Sequence, residues 1–115
     1  MTKRKRYKPI ELHVDAPDQI FDIYKGQISK SIIEAISFAL RNKKKRVDFA
    51  YIIVKNFLVI TLSIDNNEFI ELIEENLQNL IEVEDYETCA LAMKLKNKIA
   101  KRNDTQVLKK AKLDV

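Results

Sequence analysis

The chain has 115 residues, 46% of them hydrophobic, and a net charge of +4, which is material for one domain around one modest core. No apolar run approaches the roughly 20 residues of a membrane span, and Met1-Thr2-Lys3-Arg4 leads into no hydrophobic stretch of a secretory signal. A single cysteine, Cys89, excludes an internal disulfide and points to a reducing cytoplasm, or to a virion or other particle assembled in bacterial cytoplasm.

Residues 1–9 read as a cationic arm with nothing to bury. Lys3, Arg4, Lys5, Arg6 and Lys8 surround Tyr7. Phosphate neutralisation with base stacking uses that combination, and an acidic protein surface would accept it equally well. Ile10, Leu12 and Val14 alternate with Glu11, His13 and Asp15, the period of a half-buried strand, which Pro17 ends. Residues 18–27 fit either a short helical turn or a buried loop before Gly26, the one glycine.

From about Ile28 the period becomes helical, with Ile28, Ile32, Ala35, Ile36 and Ala39 in one stripe. Ser31 and Glu34 have the spacing of a capping box, with the helix start there or a few residues earlier. Arg41, Lys43, Lys44, Lys45 and Arg46 mark its end. They suit the negative end of a helix dipole, and they would equally form a phosphate-binding patch.

Val47–Val54 and Phe57–Ile64 are rich in β-branched and aromatic residues, with Lys55 and Asn56 as a two-residue turn between them. Leu58, Ile60, Leu62 and Ile64 are expected to face the core, with Val59, Thr61 and Ser63 on the other side. Asp65 and Glu68 then offer a cap for a second helix, whose buried face is read as Phe69, Ile70, Ile73, Leu77, Leu80 and Ile81. A third helix runs from about Tyr86 to Lys101, and residues 103–115 form a basic tail able to extend it. The expected fold is α+β: a small antiparallel sheet of about three strands with one N-terminal helix and a C-terminal helical hairpin over 66–101. One domain spans residues 10–102, between the arm and the tail.

Charge is arranged in blocks. Residues 1–46 carry 12 Lys/Arg against 5 Asp/Glu, residues 65–87 carry 9 Asp/Glu and no Lys/Arg, and residues 88–115 carry 8 Lys/Arg against 2 Asp. Such blocks select partners more than they select folds. The abundance of lysine, isoleucine and asparagine beside one glycine is the codon signature of an A+T-rich bacterial or phage genome.

The third helix is apolar on two sides. At about 100° per residue, Tyr86, Cys89, Ala90, Met93 and Ala100 fall on one side, and Leu91, Leu95 and Ile99 fall nearly opposite. Such a helix is either sandwiched within its own domain or keeps a face for a partner. Tyr86, Leu91, Met93, Leu95 and Ile99 are therefore the candidate protein-binding residues. Lys94, Lys98, Lys101 and Arg102 add a basic stripe.

Within the hairpin, Tyr86-Glu87 followed by Cys89-Ala90, after an apolar helix and an acidic turn, resembles the UVR motif. That short helical hairpin occurs in the excision-repair proteins UvrB and UvrC and in several small regulators. The family continues with an apolar residue and an Arg-Asp pair, where this chain has Ala92, Met93 and Lys94, and Lys96 stands at the next apolar position. The resemblance spans residues 77–100. It implies a protein–protein contact module, and neither repair nor nuclease activity.

Catalytic chemistry finds little to use. His13 is the only histidine, so a triad or metal site would rest on one imidazole, and Cys89 reads as a packing residue without a base. One glycine is too few for a phosphate-binding loop or a dinucleotide fingerprint. The carboxylates from Glu71 to Glu87 follow the outer face of a helix and its turn. The expectation is a non-enzyme with no cofactor, metal, membrane or small-molecule substrate. It would be an adaptor or assembly subunit, such as a component of a phage particle, that binds protein partners. The alternative is a nucleic-acid-binding accessory protein using the arm and Lys43, Lys44, Lys45 and Arg46.

Overall fold

A computed structural model describes residues 7–16, 18–55 and 57–113, with side chains as far as Lys101 and that of Phe21 excepted. Lys3, Arg4, Lys5 and Arg6 of the arm lie outside the described residues, as do Pro17 and Asn56 and the side chains of the tail. The elements are β1 (Ile10–Val14), α1 (Gln19–Ile23), α2 (Lys25–Arg41), β2 (Arg46–Val54), β3 (Leu58–Asp65), a 3-10 turn at Asn66–Glu68, α3 (Phe69–Glu82) and α4 (Tyr86–Leu113). The class is α+β, with the helical hairpin at its C-terminal end.

The sheet order is β1-β2-β3. β2 and β3 form the expected antiparallel hairpin, with Ala50 opposite Leu62 and Ile52 opposite Ile60. β1, however, pairs with β2 in parallel, Leu12 opposite Ile52, so the sheet is mixed where an antiparallel one was expected. The reason lies between the strands. A parallel neighbour requires a crossover of about a dozen residues or more, usually a helix, and α2 is that crossover.

α2 is the centre of the molecule. It packs on β2 with one side and on α3 and α4 with others, and Ile28, Ile32, Ile33, Ala35, Ile36 and Ala39 are all buried. Two serines two residues apart, about 200° around the helix, point into opposite layers. Ser29 donates to Asn76 Oδ1 on α3 at 2.8 Å, and Ser31 donates to the carbonyl of Phe49 on β2 at 2.7 Å. The register of β2 against β3 slips between Asp48 and Ala50, leaving Phe49 as a bulge residue whose carbonyl Ser31 satisfies. Ser31 is therefore a mid-helix anchor rather than a cap, since α2 begins six residues earlier, at Lys25.

Helix α3 buries Phe69, Ile73, Asn76 and Leu80, whereas Ile81, assigned to its buried face from sequence, is half exposed. By helical angle Asn76 sits at the middle of the stripe and Ile81 at its flank. The Asn76 amide is acceptable there because it also donates to the Leu72 carbonyl at 2.7 Å. Asp65 makes no side-chain cap and lies 4.0 Å from Arg46 Nε. Asp85 does cap α4: its carboxylate accepts from the Thr88 backbone N–H at 3.2 Å and hydroxyl at 2.7 Å.

Three turns use left-handed backbone without glycine: Lys43 (φ 53°), Lys55 (φ 48°) and Glu84 (φ 60°). After α2, Lys44 N–H reaches the Ala39 carbonyl at 2.8 Å; after α3, Asp85 N–H reaches that of Leu80 at 2.9 Å. Both are Schellman-type ends with Lys43 and Glu84 at the position that favours glycine. Lys55 opens the hairpin connection, which takes residues 55–57 rather than the expected two because Val54 pairs with Leu58, and Phe57 N–H closes it on the Val54 carbonyl at 3.0 Å. Gly26 sits instead inside α2, where a Cβ would stand 3.3 Å from Val83 Cγ2.

These caps set opposite expectations for substitution. Glu84→Gly is expected to raise unfolding free energy by about 0.5–1 kcal/mol by removing left-handed strain. Asp85→Ala is expected to lower it by about 1 kcal/mol through loss of the cap. Urea titrations of the two variants against the parent check both signs.

Candidate protein-docking face

The α3–α4 hairpin presents α4 with one apolar side inward. Thr88, Ala92 and Leu95 are buried, and Leu91 and Ile99 pack against the core as partly buried residues. Leu95 is therefore closed to a partner, and Leu91 and Ile99, read from sequence as partner-facing, are turned mainly toward the core. They fill the groove against α3 and α2, and Leu95 is only 5% exposed.

The opposite side is open. Tyr86, Ala90, Met93, Asn97 and Ala100 recur at helical spacing within an arc of about 80°, and all are exposed. Tyr86 is 63% exposed and Met93 48%. Cys89, at the edge of this arc, is a half-buried free thiol. Ile81 and Val83, which the sequence reading did not assign to a site, add exposed apolar surface at the hairpin turn beside Tyr86. The flanks are polar and unequal. Lys96 bridges to Glu74 of α3 at 3.3 Å, while Lys94, Lys98 and Lys101 lie exposed along the other side. At the turn, Lys25 of α2 pairs with Glu82, and that hydrogen bond with its charge lowers the Glu82 carboxyl pKa.

The basic candidates are distributed differently. Arg41, Lys43, Lys44, Lys45 and Arg46 are all exposed at the link between α2 and β2, so they remain a surface cluster. Lys43 also carries the left-handed residue of the helix end. Lys8 is exposed. Tyr7 is not an open stacking platform: its ring centroid lies 5.9 Å from that of Phe38, and its hydroxyl reaches Ser31 Oγ at 3.3 Å. The aromatic of the arm is thus spent on closing the core beside the bulge. Burial raises the Tyr7 phenol pKa, offset in part by the Ser31 hydrogen bond, with the nearby Glu34 charge adding to the rise.

A groove of about 360 Å³ lies at the open end of the sheet, lined by His13, Asp15, Gln19, Ile23, Ile53 and Lys55 among others. Gln19 Oε1 is occupied by the backbone N–H groups of Asp15 and Ala16, at 3.0 and 3.2 Å. Among the described residues no group of three His, Cys, Asp or Glu could hold a metal ion, and no helix is long and apolar enough to cross a membrane. Compared with protein-family models, curated proteins and solved structures, the chain finds no match in any of the three.

The Tyr7 geometry predicts an alkaline effect. A phenol that holds its proton more tightly in the folded chain stabilises the fold fully below about pH 10, and that contribution is lost as pH rises through its folded pKa. Thermal melts of the parent and Tyr7→Phe across that range are expected to show a steeper alkaline decline in the parent.

Proposed function

We propose that the protein is a non-enzymatic adaptor or assembly subunit that docks a protein partner on the outer face of α4. One observation carries the reading: Tyr86, Ala90 and Met93 form an exposed apolar stripe on a helix whose other apolar side already fills the core. Exposed apolar surface rimmed by polar groups is what a docking site requires. The fitting partner has an apolar groove for Tyr86 and Met93 and acidic groups along the Lys94 and Lys98 side. This use of the hairpin agrees with the contact role implied by its resemblance to the UVR motif. A particle assembled in bacterial cytoplasm, such as a phage virion, is the setting that the composition favours.

The exposed cluster of Arg41, Lys43, Lys44, Lys45 and Arg46 favours a second reading, one-sided binding of nucleic acid. The acidic outer face of α3 would repel a duplex that wrapped the domain.

A native pull-down with and without nuclease separates the two. The docking reading expects protein partners that survive nuclease and are lost with Met93→Glu, at unchanged circular dichroism and melting temperature. Partners that disappear with the nucleic acid, or persist with Met93→Glu, overturn it. The second reading expects affinity for a DNA oligonucleotide to fall with log salt at about 0.9 per neutralised phosphate. Lys44→Glu with Lys45→Glu should reduce that slope by about 2.

A further inference from the structure

Among the described residues β3 lies at the edge of the sheet, with β2 as its neighbour on one side and no strand on the other. Natural edges are blunted by charge, proline, bulges or shortness. β3 spans eight residues, and Leu58–Ile64 contains neither charge nor proline. Its bulge is on β2, at Phe49. α2 rests on β2, so of the helix-side residues of β3 only Ile64 is fully covered: Leu58 is 52% exposed, and Ile60 and Leu62 are only partly buried. Val59 is 61% exposed on the open face, and Phe57 at the turn is 91% exposed.

We infer that this edge is covered by a second copy of the chain, β3 pairing antiparallel with β3 about a two-fold axis through Thr61. The strand is complementary to itself in that register. On the helix side Leu58 meets Ile64 of the second copy and Ile60 meets Leu62, so each apolar residue finds an apolar one. On the open face Val59 meets Ser63, and Thr61 meets its own copy, a favourable cross-strand pair. Thr61 is the centre of the uncharged run, so this register alone pairs all seven of its residues. Charge selects the antiparallel direction. The basic turn at Lys55 then lies against the acidic strand end of Asp65 and Glu68, whereas a parallel pair would set Lys55 against Lys55 and Asp65 against Asp65. The product is a six-stranded sheet whose two central strands are no longer edges, with an isologous contact. The α4 face takes no part in it, so this inference stands or falls independently of the docking reading.

Sedimentation equilibrium of the full-length chain tests it, with Thr61→Lys as the first variant because Thr61 is exposed and its replacement leaves the core intact. A dimer is expected, weakened about tenfold or more by like charges meeting on the axis. The second variant, Thr61→Cys in a Cys89→Ala background, is expected to cross-link with a short bis-maleimide, while Glu71→Cys on the exposed side of α3 does not. A monomer at all concentrations, a dimer that survives Thr61→Lys, or a dimer that Thr61→Cys fails to cross-link would each overturn the inference.

Discussion

The fold depends on one helix being packed on two sides at once, by the sheet and by the C-terminal hairpin. α2 carries isoleucines and alanines toward both the sheet and the hairpin, so its polar groups must be matched on two sides at once. Ser29 and Ser31 do this with a side-chain amide on α3 and a bulge carbonyl on β2. Each bond is worth only about 1 kcal/mol net, but a buried group left unmatched costs about 1–3 kcal/mol. The two serines thus fix the rotation of α2 between its layers. Apolar packing alone would tolerate small slips around the helix axis; these hydrogen bonds do not.

Placement of α2 decides where surface remains. Because it occupies β2, the third strand keeps Leu58, Ile60 and Leu62 partly open. Because α3 and α4 cover its other side, α4 needs only one face to complete the core. The outer face of α4 and the edge of β3 therefore lie on separate sides of the central helix.

Much of this was readable from residue period. The alternation of residues 10–14 and the runs before and after Lys55 identified all three strands, and the stripe from Ile28 to Ala39 identified α2. Strand direction was not readable in the same way. Period 2 is the same for parallel and antiparallel neighbours, and the direction follows from the intervening helix rather than from the strand itself. The polar members of the core were missed for a related reason. Asn76, Ser29 and Ser31 stand at buried angles, but their hydrogen-bond partners are distant in sequence, so a reading by hydropathy passes over them. On α4 the two apolar sides were recognised, but which one faced inward depended on the location of α3. Leu58 shows the opposite limit, since its place in the alternation implies burial that α2, resting on β2, does not supply.

The parallel β1–β2 pair has a bearing on how the chain acquires its structure during synthesis. β1 leaves the ribosome first, yet its hydrogen-bonding neighbour begins only at Arg46, after the whole of α2 has been made. The adjacent β2–β3 hairpin closes over the short connection of residues 55–57 and can form as soon as it emerges. At the N-terminal end the strand made earliest thus waits longest for a partner. Tyr7, packed beside Phe38 and Ser31, closes over the core only once α2 and its bulge contact exist.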